Sequence, residues 1–439
     1  MIELSTQEIA DLTGGATAVD AAVRGIAIDS RAVSPGDLFV ALPGSRVNGA
    51  HFASAAVAAG AVAVLAEAGT AVERAIEVTD PLVALGRVAR EVRRRSGARV
   101  VGITGSTGKT STKDILLALL EPHRAVVASR ENENTEIGVP LTLSRIEPGT
   151  EVVIAELAMR GIGQIAYLGE IALPDVAVVT GVGPVHLELL GTIERVAEAK
   201  AEILHHLAAD GVAVVPHGER LLDPHLAGIR QRIVTFGEHP EADVVLVGFA
   251  RREGGGEAEI RLHGRTVHVP VNFTSRHNAL NLAAAAAAYD ALGVPLDGLA
   301  AGAGSVRFSR WRGEEIPLPG GGLLVADCYN ANPTSMRAAL GHLVDVAGRR
   351  RRVALLGDMA ELGNDGPRFH TEIGELAAEL GVHEVVGIGE LARGYGGIWF
   401  PDRAAALQAL PDLVRPGDAV LVKGSRSMGL EELVEAIAP

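Results

Sequence analysis

An apolar strand, Arg99 to Thr104, runs into the turn ITGSTGKTST, Ile103 to Thr112, and Lys109-Thr110 then open a helix reaching Leu120. A buried strand that feeds a helix through a glycine-rich turn commits the chain to an α/β layer. The turn's N–H groups and the helix dipole form a seat for a polyphosphate. Thr104, Gly105, Ser106, Thr107, Gly108, Lys109, Thr110 and Ser111 are the residues expected around those phosphates. Lys109 would reach the β/γ oxygens, and the Thr110 hydroxyl would ligate Mg²⁺. The usual spacing GxxxxGK[ST] calls for glycine where Ile103 stands, so the loop is a variant with Gly102, Gly105 and Gly108. ATP is favoured over GTP, because none of the four lysines sits in the Asn-Lys-x-Asp element that guanine readers carry.

Around this loop the chain divides into three segments, consistent with 439 residues. Residues 1–97 alternate short apolar runs, Asp37 to Leu42 and Ala61 to Ala66, with Ala-rich stretches, and end in a charged helix, Leu82 to Arg95. Residues 98–307 hold the phosphate loop and further strands ending at Glu156, Thr180, Pro216 and Phe236, with a helix from Ile193 to His206. Strands alternating with helices predict a mainly parallel sheet. From Asp243 to Phe273 the pattern turns to period 2 around Gly254 to Gly256, which reads as a β-hairpin appendage. A helix from Asn278 to Leu292 closes the segment. Residues 308–439 alternate four apolar strands (Leu323 to Asp327, Arg352 to Gly357, Glu384 to Gly389, Ala419 to Gly424) with helices, the pattern of a small doubly wound, Rossmann-like domain. The fold class is therefore α/β, with a central P-loop domain between two others.

Composition excludes several roles. A net charge of −14 with one short basic run, Arg349 to Arg352, argues against a nucleic-acid partner. That run reads as a helix end ahead of a strand. The single cysteine, Cys328, allows no internal disulfide and suits a reducing compartment. The opening MIELSTQEIADL lacks an apolar signal core. Gly49 to Ala66, the longest uncharged stretch, is broken at Gly60 into a helix and a strand, so no membrane span is expected. The expected location is the cytoplasm, and the expected state a monomer.

Lysine usage narrows the search for chemistry. Of 40 basic residues only Lys109, Lys113, Lys200 and Lys423 are lysines. A chain that uses Arg wherever charge suffices points, at its remaining lysines, to sites that need a primary amine; Lys113 alone carries no such expectation. Two groups at strand ends add to the inventory. Glu156 closes an apolar strand where a carboxylate would meet a metal, and His186 follows another strand through a glycine turn. Taken alone, His186 reads as a structural histidine and Lys200, between Glu198 and Glu202, as part of a solvated helix face.

Together these pieces resemble the Mur ligase family, over nearly the whole chain. ITGSTGKTSTK matches the family's shifted phosphate loop. ENTEIGVPLTL, AELAMRGIGQI, HLELLG, EAKAEIL and RHNALNLAAAAA are similar to its central domain. DCYNANPTSM, LGDMAELG and VKGSRSMG resemble the C-terminal domain of the member that adds D-alanyl-D-alanine, and Ile28 to Phe52 its UDP-sugar domain. Ala158, Gln164 and Trp311 depart from the pattern, Trp311 standing where glycine is common. The resemblance implies an acceptor, UDP-N-acetylmuramoyl-tripeptide, and a donor, D-alanyl-D-alanine, joined through an acyl phosphate at the expense of ATP. It implies two Mg²⁺ ions, metal-binding roles for Thr110, Glu156 and His186, and a CO₂-derived carbamate on Lys200. Asn281 would contact adenine, Asp327 the ribose, and Arg312 the γ-phosphate from the third domain, with Asn330 and Asn332 nearby. Asn134, Thr135, Lys423 and Ser425 would meet substrate, and Ser30, Arg31, Asn48 and His51 the UDP-sugar. The third domain is expected to close on the nucleotide. A folylpolyglutamate-type or other Mur ligase, and a nucleotide-binding subunit without turnover, are the competing readings. The VKGSRSMG and YNANP blocks oppose the first, and the complete set Lys109, Glu156, His186, Lys200 opposes the second.

Overall fold

The computed structural model describes residues 1–44 and 47–438. Ser45 and Arg46, inside the expected UDP-sugar run, lie outside the described residues. The described strands form sheets of nine, six, five and two strands, and the three larger sheets belong to three successive stretches of the chain.

The nine-stranded sheet organises the molecule. Arg99–Thr104 lies third from one edge, between Val152–Glu156 and Val176–Val179, all parallel. Beyond Val152–Glu156 comes the edge strand Val126–Ala128. Beyond Val176–Val179 come Val212–Pro216, Arg232–Gly237 and Val244–Arg252, still parallel. The chain thus winds first to one side of the phosphate-loop strand and then to the other, which opens a crevice at the strands' carboxyl ends. Alternation along the strands sorts side chains to two cores. Val100, Val153 and Ala155 face one, while Val101, Ile103, Val152 and Ile154 face the other.

Two expectations change here. The period-2 stretch is not an appendage: Val244–Arg252, Gly255–Leu262 and Arg265–Val271 are three strands that extend the central sheet, the last two antiparallel. The first of them pairs in parallel with Arg232–Gly237, a pairing that alternation within one strand cannot reveal. The helix expected from Ile193 to His206 is α-helical only over Ile193–Ala201 and tightens to a 3₁₀ turn over Glu202–His206. That change of pitch comes after Ala201, one residue past Lys200.

Helix Lys109–Leu120 and helix Arg276–Ala291 cover one face of the sheet side by side. Ala283 to Ala288 are all fully buried. Side chains this small let the helix lie close to its neighbours, which is how a chain with 3% aromatics fills its core.

The first segment docks through helix Pro81–Arg95. Asp80 caps its start, Pro81 opens it, and Arg93 to Arg95 meet the negative end of its dipole. Its apolar face (Ala84, Leu85, Val88, Val92) packs against helices Gly138–Ser144 and Gln164–Ala172 of the central stretch, in one core continuous with Leu38 and Leu65.

The third sheet runs Glu314–Leu318, Gly322–Ala326, Ala419–Lys423, Arg352–Gly357, Glu384–Ile388, Ile398–Phe400, parallel except for the first strand. Separate cores on its two faces give the doubly wound form. Arg350 donates to the last carbonyls of helix Pro333–Ala347, as the basic run predicted. No helix among the described residues is long and apolar enough to cross a membrane.

Candidate functional site

The crevice at the carboxyl edge of the central sheet is a cavity of about 1240 Å³, walled by the phosphate loop, by the strand ends and by loops of the third domain. Gly105 and Gly108 make the loop possible. They take φ of 147° and 80°, and a Cβ on either would meet Thr180 Oγ1 at 2.0 Å or Asn281 Oδ1 at 2.5 Å. The loop is braced from behind: Ser106 N donates to Gly181 O, Ser106 Oγ exchanges hydrogen bonds with Gly183, and the Thr180 hydroxyl donates to Thr107 O. Thr104 ends the strand fully buried, outside the cavity lining.

Charged groups converge on the mouth of the loop. Lys109 Nζ donates to Gly105 O at 2.8 Å. Burial pushes its ammonium below its usual range, with Glu156 opposing and Arg312 adding to the effect. Thr110 Oγ1 donates to Glu156 Oε2 at 2.9 Å, and Asn134 Nδ2 donates to Glu156 Oε1 at 2.9 Å. Glu156 is 1% exposed. Its carboxylate and the Thr110 hydroxyl therefore form an oxygen-rich pair at the strand end, the chemistry a hard divalent cation prefers.

Arg312 arrives from the third domain. Its Nη2 donates to Thr110 Oγ1 at 3.1 Å while its guanidinium lies 3.9 Å over the Tyr329 ring. The residue before it explains the departure noted in the sequence: Trp311 has φ 60°, the left-handed region where glycine costs least. Here the indole is flanked by the guanidinium groups of Arg310 and Arg426 instead.

His186 lines the cavity, and Lys200 lies buried outside its lining. His186, at φ 53°, caps the short helix Leu187–Leu190 and directs Nδ1 at the Glu361 carboxylate of the third domain, which also lies 3.4 Å from Arg160. Burial lowers the imidazole's basicity; Glu361 opposes this, and Lys200 and Lys109 reinforce it. Lys200 is 1% exposed rather than solvated, with no hydrogen-bond or ion-pair partner among the described residues. Its amine is driven well below the usual lysine range by burial, then by the neighbouring charge of Lys109.

On the opposite wall, Asn281 Nδ2 donates to Asn278 Oδ1, and Asn332 Nδ2 approaches Ser106 O at 3.4 Å while its Oδ1 caps helix Pro333–Ala347. Lys423 directs its three N–H bonds at Asp327 Oδ2 (2.7 Å), Asp327 O (3.3 Å) and Asn330 O (3.0 Å), so it fixes this loop. Ser425 Oγ accepts from Ala360 N. Thr135 and Ser111 complete the lining. The four UDP-sugar candidates are elsewhere. Ser30 opens a 3₁₀ turn, Arg31 is exposed and paired with Asp29, Asn48 caps the turn Gly49–Phe52, and His51 is exposed within that turn. None of the four lines the cavity.

Sequence reasoning passed over Glu361, Tyr329 and Arg160 as individuals. All three lay inside quoted blocks, but nothing local shows that Glu361 meets a histidine 175 positions away. His277, within the RHNALNLAAAAA block, lines the cavity beside His342.

The chain is similar in sequence and fold to known proteins. Family models match along the chain: "Mur ligase family, catalytic domain" over residues 22–104, "Mur ligase middle domain" over 103–289, and "Mur ligase, glutamate ligase domain" over 311–426. The UDP-N-acetylmuramoyl-tripeptide--D-alanyl-D-alanine ligase of Bacillus subtilis is 33% identical, across 99% of this chain and 98% of its own. The chain belongs to the Mur ligase family. Among solved Mur ligases, MurF from Acinetobacter baumannii superposes with a TM-score of 0.89 at 28% identity, covering 99% of this chain and 98% of its own. MurF ligase from Thermotoga maritima, solved in complex with ADP, gives 0.84 at 32% identity over 94% and 97%. The three-domain α/β architecture is that of these Mur ligases.

Proposed function

We propose that this Mur ligase joins D-alanyl-D-alanine to UDP-N-acetylmuramoyl-tripeptide with ATP as the energy source, forming ADP and phosphate. The observation that carries this reading is the junction of Thr110, Glu156 and Arg312. It puts a phosphate-loop hydroxyl, a buried strand-end carboxylate and a third-domain guanidinium within hydrogen-bonding distance. Domain limits at 97/98 and 307/308 agree with it, since each of the three larger sheets draws strands from one such stretch.

The reaction begins with two anions. A carboxylate oxygen of the tripeptide attacks the γ-phosphorus, and the bond from that phosphorus to the β-γ bridging oxygen breaks, releasing ADP. Lys109 and Arg312 offset the repulsion and the charge that spreads over the transferring group. The amine of D-alanyl-D-alanine then attacks the acyl carbon. The C–N bond forms, the C–O bond to phosphate breaks, and the ammonium proton is lost. Closure of the third domain keeps water from the acyl phosphate. Gly105 to Ser111 hold the phosphates, and Asn281, Asn330 and the free oxygen of Asp327 face adenine and ribose. Asn134, Thr135, Asn332 and Ser425 face substrate, with Lys423 securing Asp327.

The donor set suits divalent cations. Thr110 and Glu156 would hold Mg²⁺ through oxygen, and His186, its Nδ1 engaged by Glu361, would offer Nε2 to a second ion. Mg²⁺ supplies charge neutralisation between the reacting anions. Lys200 fits a carbamate: a neutral buried amine adds CO₂ and loses a proton, becoming a carboxylate beside the metal site. The protein would act as a monomer in the cytoplasm, and Ser30, Arg31, Asn48 and His51 would meet the UDP-sugar.

Phosphate release tests the reading. Release requiring ATP, the UDP-tripeptide and D-alanyl-D-alanine together is expected; release with glutamate or a single amino acid in place of the dipeptide would overturn it.

A further inference from the structure

Lys113 looked like the one lysine without a task. In the structure it is 3% exposed, and its ammonium meets the Asp114 carboxylate, itself 6% exposed. The other oxygen of that carboxylate accepts two hydrogen bonds from Ser309, from N at 2.9 Å and from Oγ at 3.1 Å. Ser309 belongs to the strap that leaves the central domain at Val306, buried in the central core, and enters the third at Gly313, whose N donates to Ala326 O. Arg312 lies three residues further along the same strap and reaches Thr110.

Thr110 and Asp114 are four residues apart on helix Lys109–Leu120, hence on one face. The helix that begins at the phosphate loop therefore grips the strap at two points one turn apart. A bare aspartate in that place would be a buried charge at large cost; Lys113 neutralises it and leaves Oδ2 for the strap.

We infer that Asp114, held by Lys113, is a positioning residue that anchors the inter-domain strap to the phosphate-loop helix and so sets where Arg312 stands. The inference rests on the proposed role of Arg312 at the γ-phosphate. With Ser309 pinned, the third domain pivots close to the phosphate loop, and Arg312 stays in register whatever the domain's angle.

The test uses the full chain in two forms: Asp114→Asn, and the pair Lys113→Met with Asp114→Leu, which removes the latch without stranding a buried ammonium. Hydrogen exchange over residues 306–313, without nucleotide, should accelerate in both. The kcat/KM for ATP should fall on the order of 10- to 100-fold, because small misplacements of a positioned group cost that much. KM for the UDP-substrate should not move. In an Arg312→Ala background the same changes should cost nothing further. Unchanged exchange in the strap would overturn the anchor, and equal losses with and without Arg312 would overturn positioning through it. The exchange measurement needs no turnover, so failure of the ligase reading would show separately, as wild-type protein that releases no phosphate.

Discussion

The phosphate-loop cleft and the turn region made of Ser30–Ala32 and Gly49–Phe52, with Asn48 at the start of the second, use polar residues in opposite ways. In the cleft and beside it, where Lys200 neighbours Lys109 and Glu156 without lining the cavity, groups that burial penalises are gathered from distant parts of the chain: Lys200 and Glu156 are each 1% exposed, and Lys423 is 2% exposed. In the turn, polar groups are exposed and bonded locally, Arg31 to Asp29 and Asn48 Oδ1 to Ala50 N. A buried charge persists only where another group or a ligand compensates it. The cleft thus declares itself by its cost, whereas the turn would look much the same with or without a ligand. If this contrast is right, substitutions in the cleft act on chemistry and folding together, and those in the turn act on binding of one substrate alone.

The hardest test of the contrast is Lys200→Arg. It removes the Lys200 amine and puts a guanidinium in its place, so a carbamate cannot form there. We expect phosphate release to fall on the order of 10³-fold, the scale of losing a main electrostatic element of a site. Lys200→Ala should regain part of its rate with added acetate. A fully active Lys200→Arg enzyme would end the carbamate reading.

Next comes Lys423→Met, which strands the Asp327 carboxylate at the cleft wall. Breaking such a pair by removing one partner costs roughly 3–5 kcal/mol. Urea melts should show this as a lower midpoint, even without substrate. Arg31→Ala, by contrast, removes an exposed ion pair and should leave the midpoint where it was.

The strength of each signal also explains how much of the molecule could be read beforehand. The helix from Lys109 to Leu120 and the strand ending at Glu156 were legible because a glycine-marked turn and an unbroken apolar run are local patterns. The joining of Val244–Arg252 to the central sheet was not, since strand pairing is decided by tertiary contact. Lys200 and Lys113 were visible through scarcity of lysine, yet sequence left both on a solvated or idle surface. Only the fold shows that one is buried beside Lys109 and the other pinned to Asp114. Glu361 was unreadable for the same reason, and Trp311 was readable as an anomaly whose cause, a positive φ, needed coordinates.

Acid offers a smaller effect. His277, on the cleft wall, is pushed down to about 4 by burial, with His342 adding and Asp327 opposing. Its ordinary value is 6.5, so the unfolded chain binds this proton first as pH falls. Stability from this group is therefore intact above pH 6.5, erodes between 6.5 and about 4, and is gone below. The whole span is worth roughly 3 to 4 kcal/mol at most. His277→Gln should flatten the melting midpoint across that window, and an unchanged slope would remove His277 from the account.

The smallest effect, and the one that tests the turn itself, is Arg31→Ala. The side chain is 88% exposed, and its partner Asp29 is held below the usual carboxylate range chiefly by the Arg31 hydrogen bonds. A guanidinium in that position can turn to a diphosphate only by leaving Asp29, so part of what it gains from the ligand is lost with the old pair. The net contribution should then be modest: KM for the UDP-tripeptide rising by a factor within about tenfold, kcat and KM for ATP unmoved, as for loss of uniform binding. A matching fall in kcat would mean that the turn reaches the chemistry. The division between a cleft that reacts and a turn that only holds would then have to be given up.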